Sequence, residues 1–330
     1  MPNYEVCIPI ITGPTASGKS ALALAYAKRH AALLISADSM QVYRNLNIGT
    51  AKASPLEQSR VEHALIDICE LNENYSVVQF QQDAKRLIYQ AIEVERPCVI
   101  CGGSAQYIKA LVEDQDYQAL ETNDNVRSEL ESRYREFSNQ ELWDELKLRD
   151  PLRAEALHPN DRRRVLRAIE IHTLTSRCPS QLNPLRQTNS SDPCCFKSEN
   201  SDQKPLKYKI FCPHWERDLL YDRINQRVLH MFEEGVIEEA WLCYRRHLEG
   251  RLSQTAAQAI AYKEFFPYFS GEGSLTDAIA QLQQASRRYA KRQLTHWRRY
   301  PGIEQIDLRN IDHALAQIEQ CLERSRTEFE

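Results

Sequence analysis

The sequence of 330 residues contains no uncharged apolar run that reaches the ~18 residues of a membrane-spanning helix. Its first segment, MPNYEVCIPIIT, is too short for a secretory signal or a transit peptide and contains the acidic Glu5 near its start. These two absences predict a cytoplasmic protein with no membrane partner.

The sequence also lacks a large excess of charge of either sign. The formal net charge is -4 and the pI is about 6.2, so binding to a polyanion requires a local basic patch. Hydrophobic residues make up 42% and charged residues 27% of the chain. These fractions are typical of a globular protein with one large domain or two smaller ones.

Ten cysteines without a secretory signal indicate a reducing compartment, where thiols act mostly as small buried apolar groups. Cys69, Cys98 and Cys101 lie in apolar runs and fit this interpretation. Cys212 and His214 are interpreted as residues at the end of a strand rather than zinc ligands. No structural metal is predicted.

Apolar, β-rich runs alternate with helix-forming segments in the first third of the chain, the pattern of a parallel sheet. The predicted strands are residues 4–12, 32–37, 63–68 and 97–104, and the predicted helices are 20–30 and 76–95.

Charged, helical segments without a clear strand follow from about Glu113 to Thr175 and predict an inserted helical subdomain. Residues 176–205, rich in Ser, Asn, Pro and Gln, predict an exposed loop in which Cys194 and Cys195 are exposed thiols. A strand at 207–213, helices at 214–246, 253–265 and 274–299, a strand at 303–308 and a final helix then predict a return to the first sheet. The predicted divisions are therefore 1–115, 116–205 and 206–330.

The stretch GPTASGKS matches the phosphate-loop pattern G-x-x-x-x-G-K-[ST] between a predicted strand and a predicted helix. Glycines let the backbone N–H groups wrap an anion, Lys19 adds a positive charge, and the Ser20 hydroxyl is placed to bind Mg²⁺. The predicted phosphate-binding residues are Gly13, Pro14, Thr15, Ala16, Ser17, Gly18, Lys19 and Ser20. The whole pattern predicts an α/β fold: a P-loop NTPase-like parallel sheet flanked by helices, with an inserted all-helical subdomain.

Asp38 follows the second predicted strand, at the sheet edge where ligands bind in α/β folds. A carboxylate there suits a general base beside the phosphate site; a helix N-cap or a magnesium-shell residue is an equal alternative from spacing alone. Ser39 and Gln41 offer hydrogen bonds to a flat polar substrate. The following NIGTAK, residues 47–52, is interpreted as a loop that closes over a ligand.

Two cation-rich segments stand out in this acidic chain. DRRRVLRAIEIH, residues 161–172, places its arginines on neighbouring helical positions opposite an apolar face. RRYAKRQLTHWRRY, residues 287–300, contains no acidic residue. Two basic helices suit two segments of phosphate backbone, although solvated helix faces are the alternative.

Three other functions fit parts of this pattern. The strongest is a small-molecule P-loop kinase, with Asp38 beside an acceptor hydroxyl and DRRR as an arginine lid. A non-catalytic RNA-binding ATPase is supported by the basic helices alone. A GTPase is less favoured, because the sequence lacks the Asn-Lys-x-Asp motif that reads guanine. Asp67 is a magnesium ligand under the kinase or ATPase hypothesis and otherwise caps a turn.

Seven stretches occur in this order along the chain: GPTASGKS, SADSMQVYRNLNIGTAK, HALIDI, CGGSAQYIKAL, HPNDRRRVLRAIEI, AIAYKE and RRYAKRQLTHWRR. Together they resemble the tRNA dimethylallyltransferase (isopentenyltransferase) family. The resemblance extends from about Ile10 to Arg299, and its most specific parts are the Asp-Ser stretch with IGTAK and the HPND with its arginine run. The chain ends without the Cys/His zinc module of many eukaryotic members, which favours the bacterial type.

The resemblance implies transfer of a dimethylallyl group from dimethylallyl diphosphate to N6 of the adenosine 3′ of the anticodon. The catalytic residues would be Asp38 as general base, Lys19 at the diphosphate, and Ser104, which replaces the usual Thr of the family and keeps its hydroxyl. Mg²⁺ would be the cofactor, with Ser20 as its ligand. The implied partners are the tRNA anticodon stem-loop and dimethylallyl diphosphate, with no obligatory protein partner.

The tRNA side of the resemblance implies a flipped adenosine in a channel that ends at Asp38. The implied tRNA-binding residues are Asp38, Ser39, Met40, Gln41, Ser104, Arg127, Arg163, Arg164, Val165, Leu166, Arg167, Gln258, Ala259, Ile260, Ala261, Tyr262, Lys263, Arg288 and Arg292.

Overall fold

A computed structural model describes residues 7–113, 124–182 and 206–327 of the chain. The chain divides into two compact units. The core unit consists of Met1–Asp114 and Asp192–Glu330, and the helical unit consists of Gln115–Ser191. The predicted end of the insertion at residue 205 lies outside the described residues, as do Cys194 and Cys195.

A six-stranded parallel sheet forms the centre of the core unit. Its strands are β1 (Cys7–Thr12), β2 (Leu33–Ser36), β3 (His63–Ala64), β4 (Cys98–Gly102), β5 (Lys207–His214) and β6 (Ile303–Asp307). The order across the sheet is β3-β2-β4-β1-β5-β6, and β1 pairs on one side with β4 and on the other with β5. β1 therefore pairs with one strand that precedes the helical unit in the sequence and one that follows it. The predicted return to the first sheet is confirmed.

Helices cover both faces of this sheet. The helices of the core unit are α1 (Lys19–His30), α2 (Pro55–Arg60), α3 (Val77–Glu93), α4 (Ala105–Val112), α10 (Arg217–Glu233), α11 (Val236–Leu248), α12 (Phe266–Phe269), α13 (Leu275–Trp297) and α14 (Ile311–Thr327). Side chains alternate across β1, so Ile8 and Ile10 pack in one core cluster and Ile11 packs in the other. The predicted parallel sheet flanked by helices is confirmed.

The helical unit has a small core of its own. Its helices are α5 (Asp124–Arg133), α6 (Asn139–Arg149), α7 (Pro151–Glu155), α8 (Arg162–Thr175) and α9 (Pro179–Leu182). Leu142 and Leu146 of α6 pack with Val165 and Ile169 of α8 in this core. The short α9 falls inside the segment that the composition predicts as loop.

Local sequence signals locate several helices correctly. The helix predicted from residue 76 begins with a capping box, in which the Ser76 hydroxyl accepts a hydrogen bond from the Gln79 N–H and the Gln79 side chain accepts one from the Ser76 N–H. The predicted single helix at 214–246 is wrong, because Gly235 adopts a φ of 97° and separates α10 from α11.

Two further predictions of secondary structure are wrong for the same kind of reason. Only His63 and Ala64 of HALIDI belong to β3, because Leu65 and Asp67 have φ values of 60° and 53°. The predicted helix at 253–265 is replaced by two 3-10 turns, at Ala256–Gln258 and Lys263–Phe265. Ala261 lies between these turns with a φ of 88° and breaks any helix there.

Cys98 and Cys101 are both buried in β4. Burial raises the pKa of these thiols to about 12 and about 11, so both stay neutral and pack as apolar groups. Of the helices in the part of the chain that the structure describes, none combines the length and the apolar character that a bilayer crossing demands.

Candidate active site

The phosphate loop, residues 13–18, connects β1 to the first turn of α1. Gly13 and Gly18 have φ values of 139° and 86°, a conformation that glycine adopts without strain. A Cβ on Gly18 would lie 2.7 Å from the Leu308 side chain, so the loop also needs glycine for space. The Ser17 hydroxyl is buried in the loop without a hydrogen-bond partner. The loop thus has the strand, turn and helix N-terminus that cradle an anion.

Trp215, which follows β5, and Arg223 of α10 donate hydrogen bonds to the loop. Trp215 Nε1 donates to the Ser17 carbonyl at 2.9 Å, and Arg223 Nε donates to the Ala16 carbonyl at 3.0 Å. The Arg223 guanidinium also lies 4.4 Å from the Trp215 ring centroid. These contacts stabilise Ala16, a non-glycine residue with a φ of 62°.

Two partly buried cations face the loop and Asp38. Lys19 Nζ donates to the Pro14 carbonyl at 3.2 Å, and Arg227 Nη1 donates to Thr15 Oγ1 at 2.8 Å. The pKa values of Lys19 and Arg227 are both lowered, because burial disfavours the charged forms. The nearby Asp38 opposes part of this shift. An anion bound between these cations would offset the desolvation of both positive charges.

Asp38 and Ser104 lie just beyond the carboxyl ends of β2 and β4, and Ser104 bonds to Ser39, the neighbour of Asp38. The Asp38 carboxylate accepts a hydrogen bond from the Met40 N–H at 2.9 Å, and Ser104 Oγ accepts one from the Ser39 N–H at 2.9 Å. A Cβ on Gly102 would lie 2.1 Å from the Ala37 carbonyl oxygen. This glycine therefore permits the close approach of the two strand ends.

Residues 47–52 form a loop that is held by hydrogen bonds and an ion pair to neighbouring residues. Lys52 Nζ, whose side chain is 2% exposed, donates to Asp67 Oδ1 at 2.6 Å and to the Tyr43 carbonyl at 2.7 Å. Gln41 Nε2 donates to the Thr50 and Ala51 carbonyls, both at 3.2 Å. Lys52 thus fixes the loop, and Asp67 forms an ion pair with it.

Three adjoining spaces surround these residues. The Asp38 cavity, of about 360 Å³, has Asp38, Arg227, Lys263 and Arg292 among its lining residues. The Lys19 cavity, of about 130 Å³, shares Thr15, Asp38, Thr50, Arg227 and Tyr289 with it. The outer cleft, of about 760 Å³, shares Lys19, Ser20, Ala51 and Arg227 with the Lys19 cavity. Asp38 therefore lies where the phosphate loop and a space with exposed cations meet.

The other predicted residues of the core unit lie around the Asp38 cavity or behind it. Ser39, Met40, Gln258, Ile260, Ala261 and Lys263 line it, whereas Ala259 and Tyr262 are buried in the core. Arg292 lines the same cavity and lies 5.6 Å from the Tyr289 ring centroid. Arg288 is exposed on α13.

The predicted residues of the helical unit fall into two groups. Arg163 and Arg164 are exposed on α8, and Arg164 forms an ion pair with Asp161 at 3.2 Å. Arg127 and Arg167 pair with Glu131 and Glu170, at 3.3 and 2.6 Å. Val165 is fully buried and Leu166 packs against the same core, so these two side chains support the helix.

Arg227 and Gln293 are site residues that the sequence reasoning missed. Gln293 accepts a hydrogen bond from the Thr15 N–H at 2.9 Å and donates one to the Gly103 carbonyl at 2.9 Å. The signal for Arg227 is its position on α10, on the same face as the buried Leu220, Ile224 and Val228. An arginine in an apolar helical stripe needs an anionic or polar partner.

Comparison with known proteins gives consistent matches. Residues 41–300 match the model of the IPP transferase family. The tRNA dimethylallyltransferase of Enterococcus faecalis is 41% identical over 295 residues, which cover 88% of this chain and 87% of that protein.

Solved structures agree with the sequence matches. The tRNA isopentenylpyrophosphate transferase of Bacillus halodurans is 37% identical, with a TM-score of 0.68 over 98% of this chain and 99% of that one. The tRNA delta(2)-isopentenylpyrophosphate transferase of Staphylococcus epidermidis is 30% identical, with a TM-score of 0.66 over 97% of this chain and 100% of that one. The predicted resemblance is confirmed, and the chain belongs to the IPP transferase family.

Proposed function

We propose that this protein is a tRNA dimethylallyltransferase. It transfers the dimethylallyl group from dimethylallyl diphosphate to N6 of the adenosine 3′-adjacent to the anticodon, in tRNAs that read codons starting with U, and releases diphosphate. The observation that carries the proposal is the position of Asp38, which lines both the cavity of the phosphate loop and the cavity with exposed cations. The names of the curated relatives support the same activity.

The reaction joins a nucleophile from one side of Asp38 to a carbon held on the other. The adenosine N6 forms a bond to C1 of the allyl group while the C1–O bond breaks, and the electron pair of that bond leaves with the diphosphate. Asp38 takes the proton that N6 loses. Backbone N–H groups of the phosphate loop, Lys19 and Arg227 stabilise the charge that grows on the diphosphate.

A divalent metal typically assists prenyl transfer in this family, and we propose Mg²⁺ for this chain. Ser20, in the first turn of α1, lines the same cavity as Lys19 and Asp38, so its hydroxyl fits a metal ligand there. No cluster of three or more His, Cys, Asp or Glu side chains suited to a metal occurs in residues 7–113, 124–182 and 206–327. That fits Mg²⁺, which is commonly held by substrate phosphates and waters with few protein ligands. When bound, it would neutralise charge on the leaving diphosphate.

The tRNA would approach the cations that line or flank the Asp38 cavity. Lys263 and Arg292 line the cavity and are exposed, and Arg288 is exposed one turn before Arg292 on α13. All three suit phosphate contacts. Met40, Ile260 and Tyr289 line the cavity itself and offer apolar surface to a base that has left its stack. The exposed arginines of α8 would supply a second set of backbone contacts.

A double-label experiment separates this function from the kinase alternative. The protein is incubated with tRNA and either dimethylallyl diphosphate labelled in the allyl group or ATP labelled in the γ-phosphate. We expect label from the allyl donor in tRNA and none from ATP. Transfer of the γ-phosphate to an acceptor, without allyl label in tRNA, would contradict the proposal. The kinase alternative is not favoured, because the matched relatives are transferases of the isopentenyl type.

A further inference from the structure

Glu239 of α11 collects hydrogen bonds from two separate segments of the core unit. Its carboxylate accepts the backbone N–H groups of Asn47 at 2.9 Å, Ile48 at 3.0 Å and Gly49 at 3.3 Å. The Tyr262 hydroxyl donates to the same carboxylate at 3.0 Å. Hydrogen bonds to an ionised acceptor are the strong ones, so this half-buried group is a firm attachment point.

The two attached segments adjoin each other and both line the Asp38 cavity. Gly49 and Thr50 line the Asp38 cavity from the loop at 47–52, and Ile260 and Ala261 line it from the segment at 258–263. The loop is already fixed near its end by Lys52. Glu239 fixes its beginning and ties it to the second segment.

The contact between the two segments is tight and strained. A Cβ on Gly49 would lie 2.6 Å from the Tyr262 ring, so the ring packs directly on the glycine. Ala261 beside it has a φ of 88°, which is rare for a residue with a side chain. The Ala261 N–H donates to the buried Glu264 at 3.0 Å. Such a backbone conformation persists only where its surroundings determine it.

We propose that Glu239 is a positioning residue for the adenosine, acting through Gly49 and Tyr262 to fix the wall of the Asp38 cavity. The inference rests on the proposed function, since it assigns that cavity to the base. Glu239 itself does not line the cavity. Loss of its hydrogen bonds would let the wall move, and a misplacement of about 1 Å costs up to about 100-fold in rate.

The test compares Glu239→Gln and Tyr262→Phe with Glu238→Gln, which alters an exposed neighbour on the same helix. We expect Glu239→Gln to lower kcat for tRNA about 10- to 100-fold, and Tyr262→Phe to lower it less. Affinity for dimethylallyl diphosphate, measured by calorimetry without tRNA, should stay at the wild-type value in all three. Glu239→Asp, which keeps the carboxylate, should recover part of the rate, and Glu238→Gln should behave as wild type.

Because both changes break one hydrogen bond in common, the double variant should lose less than the product of the two single losses. A wild-type kcat in Glu239→Gln would overturn the inference. So would equal losses of kcat, donor affinity and melting temperature, which indicate a general structural role. If the wild-type protein itself transfers no allyl label to tRNA, the proposed function fails instead.

Discussion

The phosphate-loop region and helix α8 both present cations, but the two regions use them differently. Lys19 and Arg227 are partly buried, donate to the loop and line cavities beside Asp38. Arg163 and Arg164 are exposed, and the Arg164 side chain is 72% exposed although it pairs with Asp161. Electrostatic interactions are several times stronger at partly buried sites than in water. The enclosed cations suit charge stabilisation during a reaction, and the exposed ones suit additive, salt-sensitive binding.

The largest expected effect lies on the reacting side of this comparison. Asp38→Asn keeps the shape of the side chain but removes the proton acceptor, so kcat should fall about 100- to 10,000-fold. Affinity for tRNA should stay close to wild type, because the exposed cations are unchanged. Single-turnover transfer and a filter-binding isotherm measure the two quantities. A normal kcat would exclude Asp38 as the base.

The next effect is expected from an enclosed cation. Arg227→Gln removes a positive charge beside the diphosphate, and kcat should fall about 100- to 1,000-fold, as for other losses of a charge-stabilising donor. Arg217→Gln, on an exposed turn of the same helix, is the matched control. Equal, small effects of both changes would remove the distinction between enclosed and exposed cations.

A smaller effect is expected from the exposed arginines of α8. The double change Arg163→Gln and Arg164→Gln should weaken tRNA binding several-fold and reduce the slope of log K against log salt by about 1 per arginine. Affinity for dimethylallyl diphosphate should not change. Arg245→Gln, at an exposed position of α11, serves as control. An unchanged salt slope would show that α8 does not contact the tRNA backbone.

The smallest effect concerns pH. Burial lowers the pKa of Lys19 below its ordinary value of 10.5, so the ammonium loses its proton at a lower pH than a free lysine. As the pH rises, affinity for dimethylallyl diphosphate should therefore begin to fall at a pH lower than 10.5. Lys19→Arg, which stays charged, should bind more weakly but without this decline. Calorimetric titrations between neutral and alkaline pH check the trend.

Local signals in the sequence were sufficient for the phosphate loop and for much of the sheet. GPTASGKS specifies its own backbone through glycines, and Ser76 specifies the start of α3 through its capping box. These features depend on neighbours in the chain, which is why they could be predicted.

The parts that failed depend on contacts between distant residues. Ala261, with a φ of 88°, precedes Tyr262, whose ring packs on Gly49 more than 200 residues earlier in the chain. The role of Arg227 follows from the packing of α10 against the phosphate loop, more than 200 residues earlier in the chain. The apolar stripe of α10 shows that Arg227 needs a partner, but local periodicity identifies neither that partner nor the conformation of Ala261. The cavity walls could therefore not be predicted from the sequence.

Identification of the modified nucleoside tests the proposed transfer to adenosine N6 most directly. Unmodified tRNA is treated with the protein, Mg²⁺ and dimethylallyl diphosphate, digested, and analysed by mass spectrometry with released diphosphate measured in parallel. We expect one five-carbon group on N6 of the adenosine 3′-adjacent to the anticodon, and one diphosphate per group transferred. Diphosphate release without a modified adenosine, or modification at another atom, would contradict it.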